Sequence, residues 1–419
     1  MYKLYRLDNG LRIIVAPMPA VPSISMGIFI GVGSRYESDE EAGVAHFTEH
    51  LLFKGTARWP TPKALSEAIE GVGGMLNGGT DKELTVYWAK VARPHFTLAR
   101  ELLVDMLLNS KFEAAEVEKE RGVIIEEINM SLDTPQQRAS MLVDELLWPG
   151  QPMGRDVAGS RDSVSRMQRS NLLNFVSQHY LPSQSVICLA GDISAEAGLA
   201  ALAPALSAWQ DGEAPVAPPP TESKLGPRLK VESRDTEQAH LNLGLWGLHY
   251  LHPDRFALDL LNVLLGEGMS SRLFQEVREK RGLAYDIHSY VSHFRDSGCV
   301  IISAGVDPRR LDSALSAIVQ VIAELRDEVS EEELARAKEF SKGRLWLRLE
   351  DSRAVAGWLG IQEVIAGRIY TPEEVIARIE ALTPQDLQRV AQKLFTNSGL
   401  HLAIVGPVDE KGLEAELKL

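Results

Sequence analysis

Apolar residues along this chain fall into two kinds of run. Short apolar stretches bounded by turn residues predict strands: "SISMGIFIGVGS" from Ser23, "TVYWAKVA" from Thr85, "SVICLAGDIS" from Ser185, "AHLNLGLWGLHY" from Ala239, "CVIISAGVD" from Cys299 and "LHLAIVGPVD" from Leu400. Longer stretches with helical periodicity include "PHFTLARELLVDMLLNS" from Pro94 and "RLDSALSAIVQVIAELRDEVS" from Arg310. Near the start, Asp8-Asn9-Gly10 reads as a turn between two short strands. Strands separated by runs of helices, rather than alternating strictly with them, predict an α+β fold.

The pattern also repeats. Each half opens on an apolar strand and closes on a helix, a turn and another strand. Gly27 recurs as Gly244 and Gly191 as Gly406 at nearly one offset, as duplication of a unit of about 200 residues would produce. Between the halves lies "DGEAPVAPPPTESKLGPR", residues 211–228, whose prolines read as an extended linker. The expected organisation is therefore a half over 1–210, a linker over 211–228 and a homologous half over 229–419. Each half is expected to be a mainly antiparallel sheet packed with helices.

Composition narrows the function. At 419 residues the chain can hold more than one core. A formal charge of −14 argues against a nucleic-acid partner, whose phosphates reward clustered Lys and Arg. Cys188 and Cys299 sit in apolar strand-like runs and read as buried free thiols. The first residues lack the unbroken apolar core of a signal peptide, and no run is long enough to span a membrane. The expected compartment is the cytoplasm.

The candidate chemistry begins in "GVAHFTEHLLFKGT", residues 43–56. His46, Glu49 and His50 stand at i, i+3 and i+4, on one face of a helix. Two imidazoles one turn apart can hold a zinc ion, and Glu49 beside them can take a proton from the attacking water. Val44, Phe47, Leu51 and Leu52 supply the apolar stripe. His-x-x-Glu-His is the inverted form of the common zinc-peptidase motif. A third ligand is sought in "AAEVEKERGVIIEEINM", residues 114–130, a helix with Val117, Val123, Ile124 and Ile128 as its apolar members. Glu120 and Glu127 share a face, and Glu126 lies about 100° away. Spacing alone leaves the choice open.

"GSRYES" (33–38), "GVAHFTEHLLFKGT" (43–56), "GGMLNGGTDKELTVYWAK" (73–90) and "EVEKERGVIIEEI" (116–128) together resemble the pitrilysin, or inverzincin, family of zinc peptidases, and its processing-peptidase branch in size. The resemblance covers nearly the whole chain. It implies one Zn²⁺ per chain on His46, His50 and Glu127, with Glu49 as base and Glu120 as a supporting acid. The second half has Leu and Asn where ligands would stand, in "FALDLLNVLLGEG", so one site per chain follows. That half carries Arg278 and Tyr285, which match the family's pair of donors to the carbonyl oxygen as it becomes an oxyanion. Asn77, Gly78, Gly79 and Thr80 match the edge strand on which family members pair an extended peptide.

One departure bears on substrates. Where the processing peptidase reads an upstream arginine with two acidic residues, this chain has Gln137 and Met141. The expectation is a zinc metalloendopeptidase for short or unfolded peptides, without that arginine requirement. A homodimer is expected, with a heterodimer as its variant. The rival expectation is a non-catalytic scaffold subunit of a processing-peptidase-like complex.

Overall fold

The computed structural model describes residues 1–222, 228–413 and 417–419. Part of the proline-rich stretch, 223–227, lies outside the described residues. The chain forms two compact units. One comprises Met1–Ile128, Asp156–Pro218 and Trp346–Ile369; the other comprises Asn129–Arg155, Pro219–Leu345 and Tyr370–Leu419.

The first unit is built on six strands: β1 (Lys3–Arg6), β2 (Arg12–Pro17), β3 (Ser23–Ile30), β4 (Met75–Thr80), β5 (Thr85–Ala92) and β6 (Ser185–Gly191), in the order β1-β2-β6-β3-β5-β4. All pairs are antiparallel except β2 with β6. Ile14, Ala16, Phe29, Val186, Cys188 and Ala190 bury one face against Val355, Ala356 and Leu359 of helix Ser352–Ala366. The contact is close: a Cβ on Gly360 would stand 2.3 Å from the Phe29 ring. Val15 and Leu189 point the other way, onto Gly198 of helix Ala195–Leu206. With both faces covered, the central strands are apolar throughout instead of alternating.

The second unit repeats this plan with five strands, β7 (Leu229–Ser233), β8 (Ala239–Trp246), β9 (Ala284–His293), β10 (Gly298–Val306) and β11 (His401–Gly406), in the order β7-β11-β8-β10-β9. Here too a single neighbouring pair, β11 with β7, is parallel. Ile301, Ala403, Val405 and Trp246 face helix Pro135–Leu147. Leu241, Leu243, Val300, Ile302 and Ile404 face a larger layer that includes helices Arg255–Gly266 and Leu311–Asp327. Strand for strand, β7, β11, β8, β10 and β9 occupy the places of β2, β6, β3, β5 and β4.

Sequence periodicity assigned each helix a buried face without saying which sheet would cover it. Residues 129–155 precede the proline-rich stretch yet complete the second unit, and 346–369 follow it yet complete the first. The fold is α+β, as expected, and both cysteines are free and buried. Among the described residues, no helix is long and apolar enough to cross a membrane.

Candidate metal centre

The helix Val44–Leu52 starts abruptly. Its N-cap, Gly43, has φ +94°, a left-handed conformation, and a Cβ there would lie 2.4 Å from the Ala158 carbonyl oxygen. From that start Val44, Ala45, Phe47, Thr48, Leu51 and Leu52 turn inward. His46, Glu49 and His50 remain on the other side.

Helix Ala114–Asp133 supplies the facing carboxylates, all within the first unit. Its buried residues are Val117, Glu120, Ile124 and Ile128. Val123, expected among the apolar members, is 46% exposed instead, because the buried stripe runs through Glu120 at that level of the helix. Glu127 Oε2 lies 3.8 Å from His46 Nε2 and 3.6 Å from His50 Nε2. Those separations are too long for hydrogen bonds and short enough for one ion to bridge. Among the described residues, His46, His50 and Glu127 form the group of ligand atoms gathered within 4.8 Å of one another. Glu126 is exposed and is not in that group.

The protonation states suit a cation. Glu120 is 2% exposed; one of its oxygens lies 3.1 Å from His50 Nδ1 and the other 2.8 Å from Lys54 Nζ. Facing a carboxylate held by a lysine, the tautomer of His50 with its proton on Nδ1 would donate to Glu120 and leave the Nε2 lone pair toward Glu127. His46 has no such support, since its Nδ1 is buried without a partner. Burial first, and His50 second, bring the His46 pKa down to about 4, so its ring is neutral near pH 7. Two imidazoles and a carboxylate are a donor set that fits zinc.

Glu49 projects beside this group. Burial raises its pKa, against the opposing effect of a hydrogen bond donated by Thr80 Oγ1 at 2.9 Å. A carboxyl poised upward in pKa both accepts and returns a proton readily. The Thr80 contact ties Glu49 to β4, the edge strand of the first sheet, where Asn77 pairs with Trp88, Gly78 with Tyr87 and Gly79 with Val86. The strand passes so near that a Cβ on Gly78 would come 3.1 Å from Glu49 Oε1 and 3.0 Å from the Phe53 ring. Gly79 faces open space. Thr80, expected as a peptide contact, is thus bonded to Glu49, and Lys54 joins the site through a bond that spacing did not suggest.

Arg278 and Tyr285 lie in the second unit. Arg278 sits on the π-helical turn Phe274–Lys280, with its guanidinium 4.5 Å from the Tyr285 ring centroid and 4.6 Å from that of Phe274. Tyr285, at the start of edge strand β9, is 77% exposed. The two residues expected to act as a pair are therefore stacked on each other.

Residues 12–161 match the family model described as insulinase (peptidase family M16), and residues 166–340 match the one described as the peptidase M16 inactive domain. This chain belongs to peptidase family M16. Its M16 relatives include an uncharacterized zinc protease of Mycobacterium tuberculosis, 39% identical over 97% of this chain and 93% of the relative. Another, the uncharacterized zinc protease YmxG of Bacillus subtilis, is 34% identical over 97% of this chain and 98% of its own length. Among solved structures, a protease from Helicobacter pylori has the same fold, with a TM-score of 0.91, 24% identity, and coverage of 97% of this chain and 99% of that one. So does a chain of complex III from Candida albicans, with a TM-score of 0.85, 19% identity and full coverage of both chains.

Proposed function

We propose that this M16 chain is a cytoplasmic zinc-dependent endopeptidase of the processing-peptidase type, hydrolysing short or unfolded peptides with one Zn²⁺ per chain. The observation that carries the reading is the convergence of His46, His50 and Glu127 with Glu49 beside them. His46, His50 and Glu127 would hold the ion, which supplies Lewis acidity toward water and the scissile carbonyl. Glu49 takes the proton of the attacking water and returns it to the leaving amine. Glu120 keeps the His50 proton on Nδ1. The free edge of β4, along Asn77, Gly78, Gly79 and Thr80, pairs the peptide main chain and so tolerates varied side chains. Arg278 and Tyr285 keep the part their motif implies, donors to the carbonyl oxygen as charge builds on it. Gln137 and Met141 offer no charge to a substrate arginine, so broad peptide cleavage follows. A homodimer is the proposed working form.

The test is zinc analysis of the purified protein together with a fluorescence-quenched peptide library. Stoichiometric zinc and cleavage are expected in the wild type, with both lost in His46→Ala. The alternative, a non-catalytic subunit, draws on the match of 166–340 to a domain described as inactive. It predicts that the wild type and Glu49→Gln leave the library equally intact.

A further inference from the structure

Two links meet in the loop before the zinc-site helix. The Ser34–Tyr36 turn is tied to the hairpin that carries β4: Ser34 N–H donates to the Asp81 carbonyl at 3.1 Å and Arg35 N–H to that of Lys82 at 2.9 Å. The Arg35 guanidinium forms a buried ion pair with Glu83 in the same hairpin. Gly33 permits this approach, since a Cβ there would stand 1.9 Å from the Asp81 carbonyl oxygen.

Glu37 carries the second link. Its carboxylate is 5% exposed, and its two oxygens accept from Gly43 N–H and Ala45 N–H, each at 2.8 Å. Those donors open the helix Val44–Leu52 and have no partner within it. Gly43, the N-cap, has no side chain to serve them, and the first turn contains no acidic residue. A buried carboxylate from outside thus replaces the usual cap and places negative charge at the positive end of the helix dipole. At the far side of the same circuit, Thr80 of β4 donates to Glu49. The helix is held to the hairpin at both ends, by Glu37 through Arg35 and by Glu49 directly. A slip of one residue would rotate His46 and His50 by about 100° and break both.

We propose that Glu37 is a positioning residue of the metal centre: its two hydrogen bonds set where, and at what rotation, the His46–Glu49–His50 helix begins. The inference rests on the reading of His46, His50 and Glu127 as zinc ligands. It is tested on the full-length purified protein with Glu37→Gln, whose amide has one acceptor oxygen and turns an NH₂ donor toward the second N–H. Two quantities are read: Zn²⁺ affinity by competition with a chromophoric chelator, and the visible d–d spectrum of the Co²⁺-loaded protein. The expected result is a Zn²⁺ affinity about 10-fold lower and a shifted Co²⁺ spectrum. A lower melting temperature with wild-type affinity and a wild-type Co²⁺ spectrum would make Glu37 a cap for the fold alone and overturn the proposal. If Glu37→Gln does not fold, Glu37→Asp carries the same measurements: it keeps both oxygens on a shorter arm, so a smaller affinity loss and a shifted spectrum are expected, and wild-type values overturn the proposal. A wild type that binds neither ion removes the reading of the ligands, and this inference with it. A wild-type Co²⁺ spectrum that disappears in His46→Ala keeps the two questions separate.

Discussion

Helices Val44–Leu52 and Arg255–Gly266 hold one place in two copies of a plan, each being the first α-helix after β3 or β8. Their packing is opposite in kind. The second is buried nearly all round by Phe256, Leu258, Leu260, Leu261, Leu264 and Leu265, and its polar Asn262 accepts a hydrogen bond from Ser289 at 2.7 Å. The first buries one stripe and keeps His46, Glu49 and His50 off it. A helix that gives a face to chemistry has less apolar surface to fix it. Its position then depends on polar ties: Glu37 at its start, Thr80 at Glu49, Glu120 at His50 and Lys54 just beyond. The same scaffold position carries a polar face in one copy and only packing in the other.

Substitutions in the two helices should therefore separate activity from stability. The largest effect is expected from Glu49→Gln, which should lower kcat by about 10²–10⁴-fold while zinc content and melting temperature stay near wild type. Wild-type turnover in a zinc-loaded variant would remove Glu49 as the base. Leu261→Ala, in the counterpart helix, should cost about 2–5 kcal/mol of unfolding free energy by urea titration, with zinc affinity unchanged in the folded fraction. Glu120→Gln should weaken zinc binding by about 10–100-fold; the exposed Glu126→Gln should leave it unchanged, and equal losses in both would undo the distinction between them.

Near neutral pH the smallest effect is that of His179, which shows only as pH is lowered. His179 ends helix Arg169–His179, which packs on helix Val44–Leu52, and burial lowers its pKa to about 4. The unfolded chain takes up this proton near pH 6.5 and the folded chain does not, so the contribution is complete above that pH and declines as pH falls toward 4. Unfolding of metal-free protein, followed across this window, should show a slope shallower by about one proton in His179→Gln. An unaltered slope would mean that His179 is protonated in the fold.

Much of this was legible in residue order. Helical spacing set His46, Glu49 and His50 on one face and made Glu127 a candidate, because periodicity is a local property. Glu37 was not legible: it lies in an irregular loop, and its partners are backbone N–H groups that carry no residue identity. Nor could spacing foretell that Glu120 would be buried and Val123 exposed, since that depends on a neighbouring lysine and histidine to satisfy the carboxylate. The membership of residues 129–155 and 346–369 was hidden for a related reason. Leu142 and Val143 or Leu359 are equally apolar toward either sheet, and only shape selects between them.

That exchange of helices has a consequence for synthesis. As the chain emerges from the ribosome, all six strands of the first sheet are available once Gly191 is out, yet the Phe29 face stays bare until Leu359 and Gly360 arrive. The second sheet acquires its helix early but waits for β11 near the end. The first unit has all its residues at Ile369 while the second still needs Tyr370–Leu419. An ordered synthesis would therefore leave the first sheet's apolar face bare for the stretch between Gly191 and Leu359 and would close the second core last.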